Sequence, residues 1–121
     1  MSLSQTQRPL YEVKAGLFKG LSHPLRIRVL ELLADGSEHT VGSLQASTGL
    51  EASHLSQHLA VLRKHRLVVS ERRASNVHYR LADPEVRELL AVARRLLVSL
   101  LAVDGARAEH VAALPSFGEP R

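Results

Sequence analysis

The sequence predicts a mainly α-helical domain with one small β-hairpin, in the order α-α-α-α-β-β-α. Apolar residues recur at helical spacing in five stretches, around residues 10–21, 25–33, 41–44, 55–62 and 86–101. One stretch, residues 67–81, changes to short runs of strand-forming residues around a turn. The length of 121 residues, 45% of them hydrophobic, suits a single domain, residues 1–121, with one modest core. At 3% aromatic residues, that core must be built from Leu, Val and Ala.

The first helix is expected over residues 9–20, where Leu10, Val13, Leu17 and Leu21 share a face with Phe18 beside them. In "LSHPLRIRVLELLADGS", Pro24 suits a first helical position, where its missing N–H costs nothing. Leu25, Val29, Leu32 and Leu33 give that helix an apolar face, and Gly36 is placed to end it. In "TVGSLQASTG", Thr40 is the expected N-cap, Val41 and Leu44 point inward, and Gly49 breaks the helix. The next helix buries Leu55, Leu59 and Leu62, with Ser53, Gln57 and Lys64 opposite. Two helices across a tight Gly-Leu turn, the second with a polar outer face, make a helix-turn-helix over residues 41–65.

Residues 67–81 read as a wing: strands at Val68–Glu71 and Val77–Leu81, joined through Ala74, Ser75 and Asn76. The last helix, residues 84–102, has Asp83 as N-cap and Pro84 at its first position. Its apolar residues cover about half its circumference, against the roughly 100° stripe that a surface helix needs. On a monomer this small, such a helix would leave a large apolar patch in water, so it calls for a second subunit. The expected dimer interface joins the first and last helices through Leu10, Val13, Leu17, Leu89, Leu90, Ala93, Leu97 and Leu100. Residues 105–121, with Pro115, Gly118 and Pro120, read as a flexible tail.

Charge is uneven. The net charge is +4, and six basic residues fall between positions 60 and 80 (Arg63, Lys64, Arg66, Arg72, Arg73 and Arg80) against one acid, Glu71. Such a cluster is the electrostatic footprint of a phosphate-binding surface. Cysteine is absent, which excludes disulfides and thiolate metal sites. No run of eighteen apolar residues and no apolar leader core occurs, so no membrane partner is expected and the cytoplasm is the expected location. No G-x-S-x-G elbow, Walker loop or H-E-x-x-H helix is present, so the chain reads as no enzyme.

"LSHPLRIRVLELL" (21–33), "SHLSQHLAVLRKHRLV" (53–68) and the hairpin ending in "VHYRL" resemble the ArsR/SmtB family of bacterial transcriptional repressors. The likeness runs from Tyr11 to Leu101 and rests on H-P-x-R-x-x-x-L-x-L-L followed by S-x-L-S-Q-H-L at the right separation. It implies a winged helix-turn-helix homodimer that binds double-stranded DNA at a palindromic operator and responds to an inducer. The DNA contacts it implies are Ser53, His54 and Gln57 at base edges, with Ser56 and His58 supporting the helix or touching phosphates. Gln57 suits bidentate pairing with adenine, and His54 and Ser53 suit guanine acceptors. Arg63, Lys64, Arg72, Arg73 and Asn76 would meet the DNA backbone or the minor groove.

The chain departs from the family's metal sensors. Thr40, Val41 and Gly42 stand where the arsenic and lead sensors carry Cys-Val-Cys. Asp83 and Glu85 stand where zinc and cobalt sensors carry Asp-x-His, and Leu96 and Ser99 stand near the second pair. Arg66 stands where a glycine often ends the recognition helix, which predicts an end without a left-handed glycine cap. His54 and His58 are one helical turn apart and could chelate, but two nitrogens do not complete a site. His54 and His65 lie about 16 Å apart along the axis, too far for one ion. Seven histidines without cysteine would suit nickel, zinc or cobalt, with Asp83, Glu85 and His110 as candidates across a dimer. An accessory sensor protein is the alternative source of a signal, and a protein-interaction module is the alternative use of the fold.

Overall fold

A computed structural model describes residues 3–104 and 113–117. Its elements are α1 (Gln7–Gly20), α2 (Pro24–Leu33), β1 (His39–Thr40), α3 (Val41–Thr48), α4 (Ala52–Lys64), β2 (Val68–Arg73), β3 (Asn76–Leu81) and α5 (Pro84–Asp104). The expected order is observed, with one addition: β1 joins the hairpin to give a three-stranded antiparallel sheet in the order β1-β3-β2. His39 stands opposite Tyr79, and Thr40 opposite His78. Two residues are too short for a strand period to show in sequence.

Local chemistry accounts for the boundaries. Helix α1 starts at Gln7, two residues before the expected Pro9, after a turn in which Ser4 and Gln7 bond each other reciprocally. The Gln7 amide donates to Ser4 Oγ, and the Ser4 amide donates to Gln7 Oε1, each at 3.1 Å. Helix α2 begins at Pro24, and His23 is its N-cap, with Nδ1 accepting from the Leu25 amide at 3.1 Å. Thr40 caps α3 as expected, its Oγ1 accepting from the Ser43 amide at 3.1 Å. Gly49 follows α3 at φ 73°, a left-handed turn that suits glycine. Asp83 Oδ1 accepts from the Glu85 amide at 2.8 Å at the start of α5.

Helix α4 ends without a glycine cap, as expected, but still with a left-handed turn. Arg66 takes φ 64°, so the cap forms on an arginine. The Leu67 amide bonds the Leu62 carbonyl at 2.9 Å and the Arg66 amide bonds that of Arg63 at 3.1 Å, the two bonds of a Schellman turn. The hairpin differs from expectation. β2 runs on to Arg73, which pairs with Asn76, leaving only Ala74 and Ser75 in the turn, with Ala74 at φ 54°. Asn76 is therefore a strand residue.

The core is aliphatic, as composition requires. Val29, Leu30, Leu33, Leu44, Leu55, Leu59, Leu62, Leu67 and Val68 are fully buried between α2, α3, α4 and the sheet. The tight contact of α1 with this core depends on Gly20, where a Cβ would lie 2.6 Å from Leu67 Cδ1. Leu90 corrects the expected interface: at 4% exposure it belongs to this core, together with Val86. The other expected interface residues remain outside it. Leu10, Val13, Ala93, Leu97 and Leu100 are exposed, while Leu17 and Leu89 are half-buried. No helix among the described residues is long and apolar enough to cross a membrane.

Candidate nucleic-acid interface

Helix α4 turns Leu55, Leu59 and Leu62 into the core, so its opposite face must meet solvent. Ser53, His54, Ser56, Gln57, Arg63 and Lys64 are all exposed on it. Helix α3 holds α4 through the turn. Thr48 Oγ1 donates to the Leu44 carbonyl at 2.7 Å and accepts from the Leu50 amide at 3.3 Å, while Gln45 Nε2 donates to the Leu50 carbonyl at 3.4 Å. Arg63 Nη1 donates to Ser70 Oγ at 3.3 Å, fastening the end of α4 to β2.

The three histidines of α4 and its C-cap separate. His54 is exposed. His58 is half-buried, with its ring centroid 4.5 Å from that of His23. His65 packs against α1, where a Cβ on Gly16 would lie 2.9 Å from its Nδ1. Burial, then the neighbouring charges of His23, Arg26 and His54, hold the His58 imidazole below its ordinary range. Burial likewise depresses His65, helped by Lys64, Lys19 and Arg26. His58 thus supports α4 from behind, while His54 stays on the open face.

Metal chemistry finds little geometry. Among the described residues no three His, Asp or Glu side chains come together in a way that could hold an ion. Asp83, a candidate ligand, spends an oxygen on the helix cap. Glu85 is exposed in the first turn, and His110 lies outside the described residues.

The wing sorts its arginines by the pleat. Cross-strand pairing puts Ser70 with Tyr79 and Arg72 with Val77 on one face, and Glu71 with His78 and Arg73 with Asn76 on the other. Arg72 therefore shares the face of Ser70, which touches α4. Arg73 is on the opposite face, and it is no free cation. Its Nη1 lies 2.6 Å from Glu38 Oε2, and its Nη2 lies 2.6 Å from Glu38 Oε1 and 3.1 Å from Glu71 Oε2. Of the wing residues expected at the DNA backbone or minor groove, Arg72 is exposed on the face opposite that of Arg80, and Arg73 is already paired. The sequence could not show this, because Glu38 lies 35 residues from Arg73.

An exposed polar helix on a helix-turn-helix scaffold, beside a basic hairpin, defines a winged helix-turn-helix DNA-binding regulator. The family model "Bacterial regulatory protein, arsR family" matches residues 23–70. The chain is 49% identical over 94 residues to the uncharacterized HTH-type transcriptional regulator Rv0081 of Mycobacterium tuberculosis, covering 77% of this chain and 82% of that protein. The crystal structure of Rv0081 matches with a TM-score of 0.71 at 46% identity, covering 79% of this chain and 96% of that one. A solution NMR structure from Mycobacterium bovis, of a homodimeric winged helix-turn-helix DNA-binding domain, also matches with a TM-score of 0.71. It is 27% identical and covers 80% of this chain and 89% of that one. The biofilm growth-associated repressor of Xylella fastidiosa is 37% identical over 76 residues, covering 63% of this chain and 66% of that protein. The chain belongs to the ArsR family of bacterial regulatory proteins. Its relatives are transcriptional regulators, a class that is not enzymatic.

Proposed function

We propose that the chain represses transcription as a homodimer on a palindromic operator, reading base edges with Ser53, His54 and Gln57. One observation carries this: α4 is fixed by three fully buried leucines on one side and leaves its polar residues uncovered on the other. Homodimeric assembly is supported by the M. bovis domain and by the apolar face that α1 and α5 leave open. Repression is supported by the X. fastidiosa relative. A twofold dimer would set its two recognition helices about 34 Å apart, one turn of DNA, which is why the operator should be palindromic.

The test is fluorescence anisotropy with a labelled duplex from the chain's own promoter region against a scrambled duplex. It is run first with chelator and then with nickel, zinc or cobalt. The promoter duplex should bind at least a hundredfold tighter. Gln57→Ala should cut that preference by about tenfold or more, as loss of one bidentate base contact does. No preference in any condition would overturn the reading and favour a protein-interaction module. Binding that changes with one ion would make the chain a metal-responsive regulator. Binding indifferent to all three would place the signal with a different ligand or with an accessory sensor protein.

A further inference from the structure

We infer that Glu38 is a built-in competitor for DNA phosphate, holding Arg73 away from the duplex and so raising the discrimination of the wing against non-operator DNA. The inference rests on the DNA-binding reading above and deepens it.

The geometry is specific. Arg73 meets Glu38 with two nitrogens on two oxygens, the fork arrangement in which guanidinium and carboxylate bind best. Glu71, on the same strand face, adds a second carboxylate at 3.1 Å. His78 Nδ1, also on that face, lies 3.9 Å from Glu38 Oε2. Two acids on Arg73 neutralise it, so with Arg80 on the same face this edge of the wing carries no net positive charge, where the sequence suggests a patch of cations. The Arg73 guanidinium holds the Glu38 carboxyl below its usual range, so the clamp stays charged at neutral pH.

Glu38 is aimed rather than loose. It sits in the segment between α2 and β1, which its own polar groups tie down. Asp35 Oδ1 accepts from the Ser37 amide at 2.8 Å and from Ser37 Oγ at 2.6 Å. The His39 ring bridges Ser37 Oγ at 3.1 Å and Ser43 Oγ at 3.2 Å. Beyond Glu38, β1 is hydrogen-bonded to β3. The carboxylate is therefore presented to the wing by a fixed backbone, at little entropic cost.

The consequence follows from how DNA binding is driven. Each phosphate neutralised by a free cation releases counterions and adds affinity on any sequence. A clamped Arg73 contributes nothing until Glu38 is displaced, and Glu38 itself repels phosphates. Arg73 is 49% exposed, so a duplex held firmly by base contacts can reach and capture it, whereas a weakly held one does not.

The test compares Glu38→Gln, Arg73→Gln and the double variant with wild type, on the promoter and scrambled duplexes across a salt series. Glu38→Gln should bind the scrambled duplex about three- to tenfold tighter and steepen its salt slope by about 0.9, one phosphate contact. The promoter duplex should gain less, so that discrimination falls. In the Arg73→Gln background, Glu38→Gln should gain less than half as much. The inference is overturned if Glu38→Gln leaves scrambled-duplex binding unchanged or weaker, or if its full gain survives without Arg73. Wild-type binding without sequence preference would overturn the operator reading alone, because the scrambled arm still tests the clamp. Wild type that binds neither duplex overturns both.

Discussion

The helix-turn-helix half and the α1–α5 half of this molecule treat leucine in opposite ways. In the first, Leu30, Leu44, Leu55, Leu59 and Leu62 are fully buried within one subunit. In the second, Leu10 is 69% exposed, Leu96 and Leu100 are 57% exposed, and Phe18 is 56% exposed. A groove of about 630 Å³ opens between α1, α2 and α5, with Phe18, Ile27, Leu89 and Leu97 on its walls and the chain's own Leu114 and Pro115 along part of it. Arg94 donates to the Leu114 and Pro115 carbonyls at 3.2 and 2.6 Å, so this part of the expected flexible tail lies against α5. The same residue type thus serves a finished core in one half and an unfinished surface in the other. Folding supplies the partner for the first set, and the proposed second subunit supplies it for the second.

The sharpest way to break this contrast is one leucine from each half. Leu59→Ala should lower unfolding stability by about 3 kcal/mol, since it removes a fully buried side chain from a close-packed core. The loss should appear in urea denaturation at every protein concentration. A loss below about 1 kcal/mol would mean that α4 is not anchored as described. Leu97→Glu should leave the far-ultraviolet spectrum intact but move the chain to monomer in sedimentation. Promoter affinity should fall by about a hundredfold, because one subunit then holds one half-site. A fully active monomer would refute the dimer through α5.

How much was legible in the sequence follows the same division. The elements of the helix-turn-helix could be placed because each depends on its own residues: leucines at i, i+4 and i+7, a threonine cap, a glycine at positive φ. The sequence places Leu90 in the interface because a helix apolar on half its circumference does not reveal which side meets its own core. Strand β1 and the Arg73–Glu38 pair escaped because both join residues more than thirty positions apart. Charge counting registers a cation at position 73 but not the carboxylate that holds it.

The turn after α4 gives a smaller and opposite prediction. Arg66 occupies a left-handed position that costs a side-chain-bearing residue about 1–2 kcal/mol. Glycine removes that strain, although its greater freedom in the unfolded chain takes part of the gain back. Arg66→Gly should therefore raise stability by about 0.5–1 kcal/mol in urea denaturation. Non-specific DNA binding should weaken slightly, as an exposed cation is lost. Destabilisation would show that the arginine side chain makes a contact worth more than the backbone strain.

The smallest effect tests how α2 and α4 meet at His58, inside the helix-turn-helix half. Its imidazole is enclosed by the α2 cap residue His23 and faces Arg26 and His54, so the folded state binds a proton there less readily than the unfolded state. Its folded pKa lies below the ordinary value near 6.5, and the unfolded chain takes up the proton first as pH falls. Its contribution is therefore present in full above that value. It is lost progressively as pH drops from about 6.5 to the lowered folded value, and is constant below. His65 is depressed in the same direction and adds to the slope. The lowered carboxyls of Asp35 and Glu38 act only at more acid pH. Glutamine does not titrate, so in His58→Gln the fall in urea midpoint between pH 7 and 5 should be shallower than in wild type, with His65 supplying the remainder. If the two midpoint curves run parallel over that range, His58 is not packed against His23 in its neutral form.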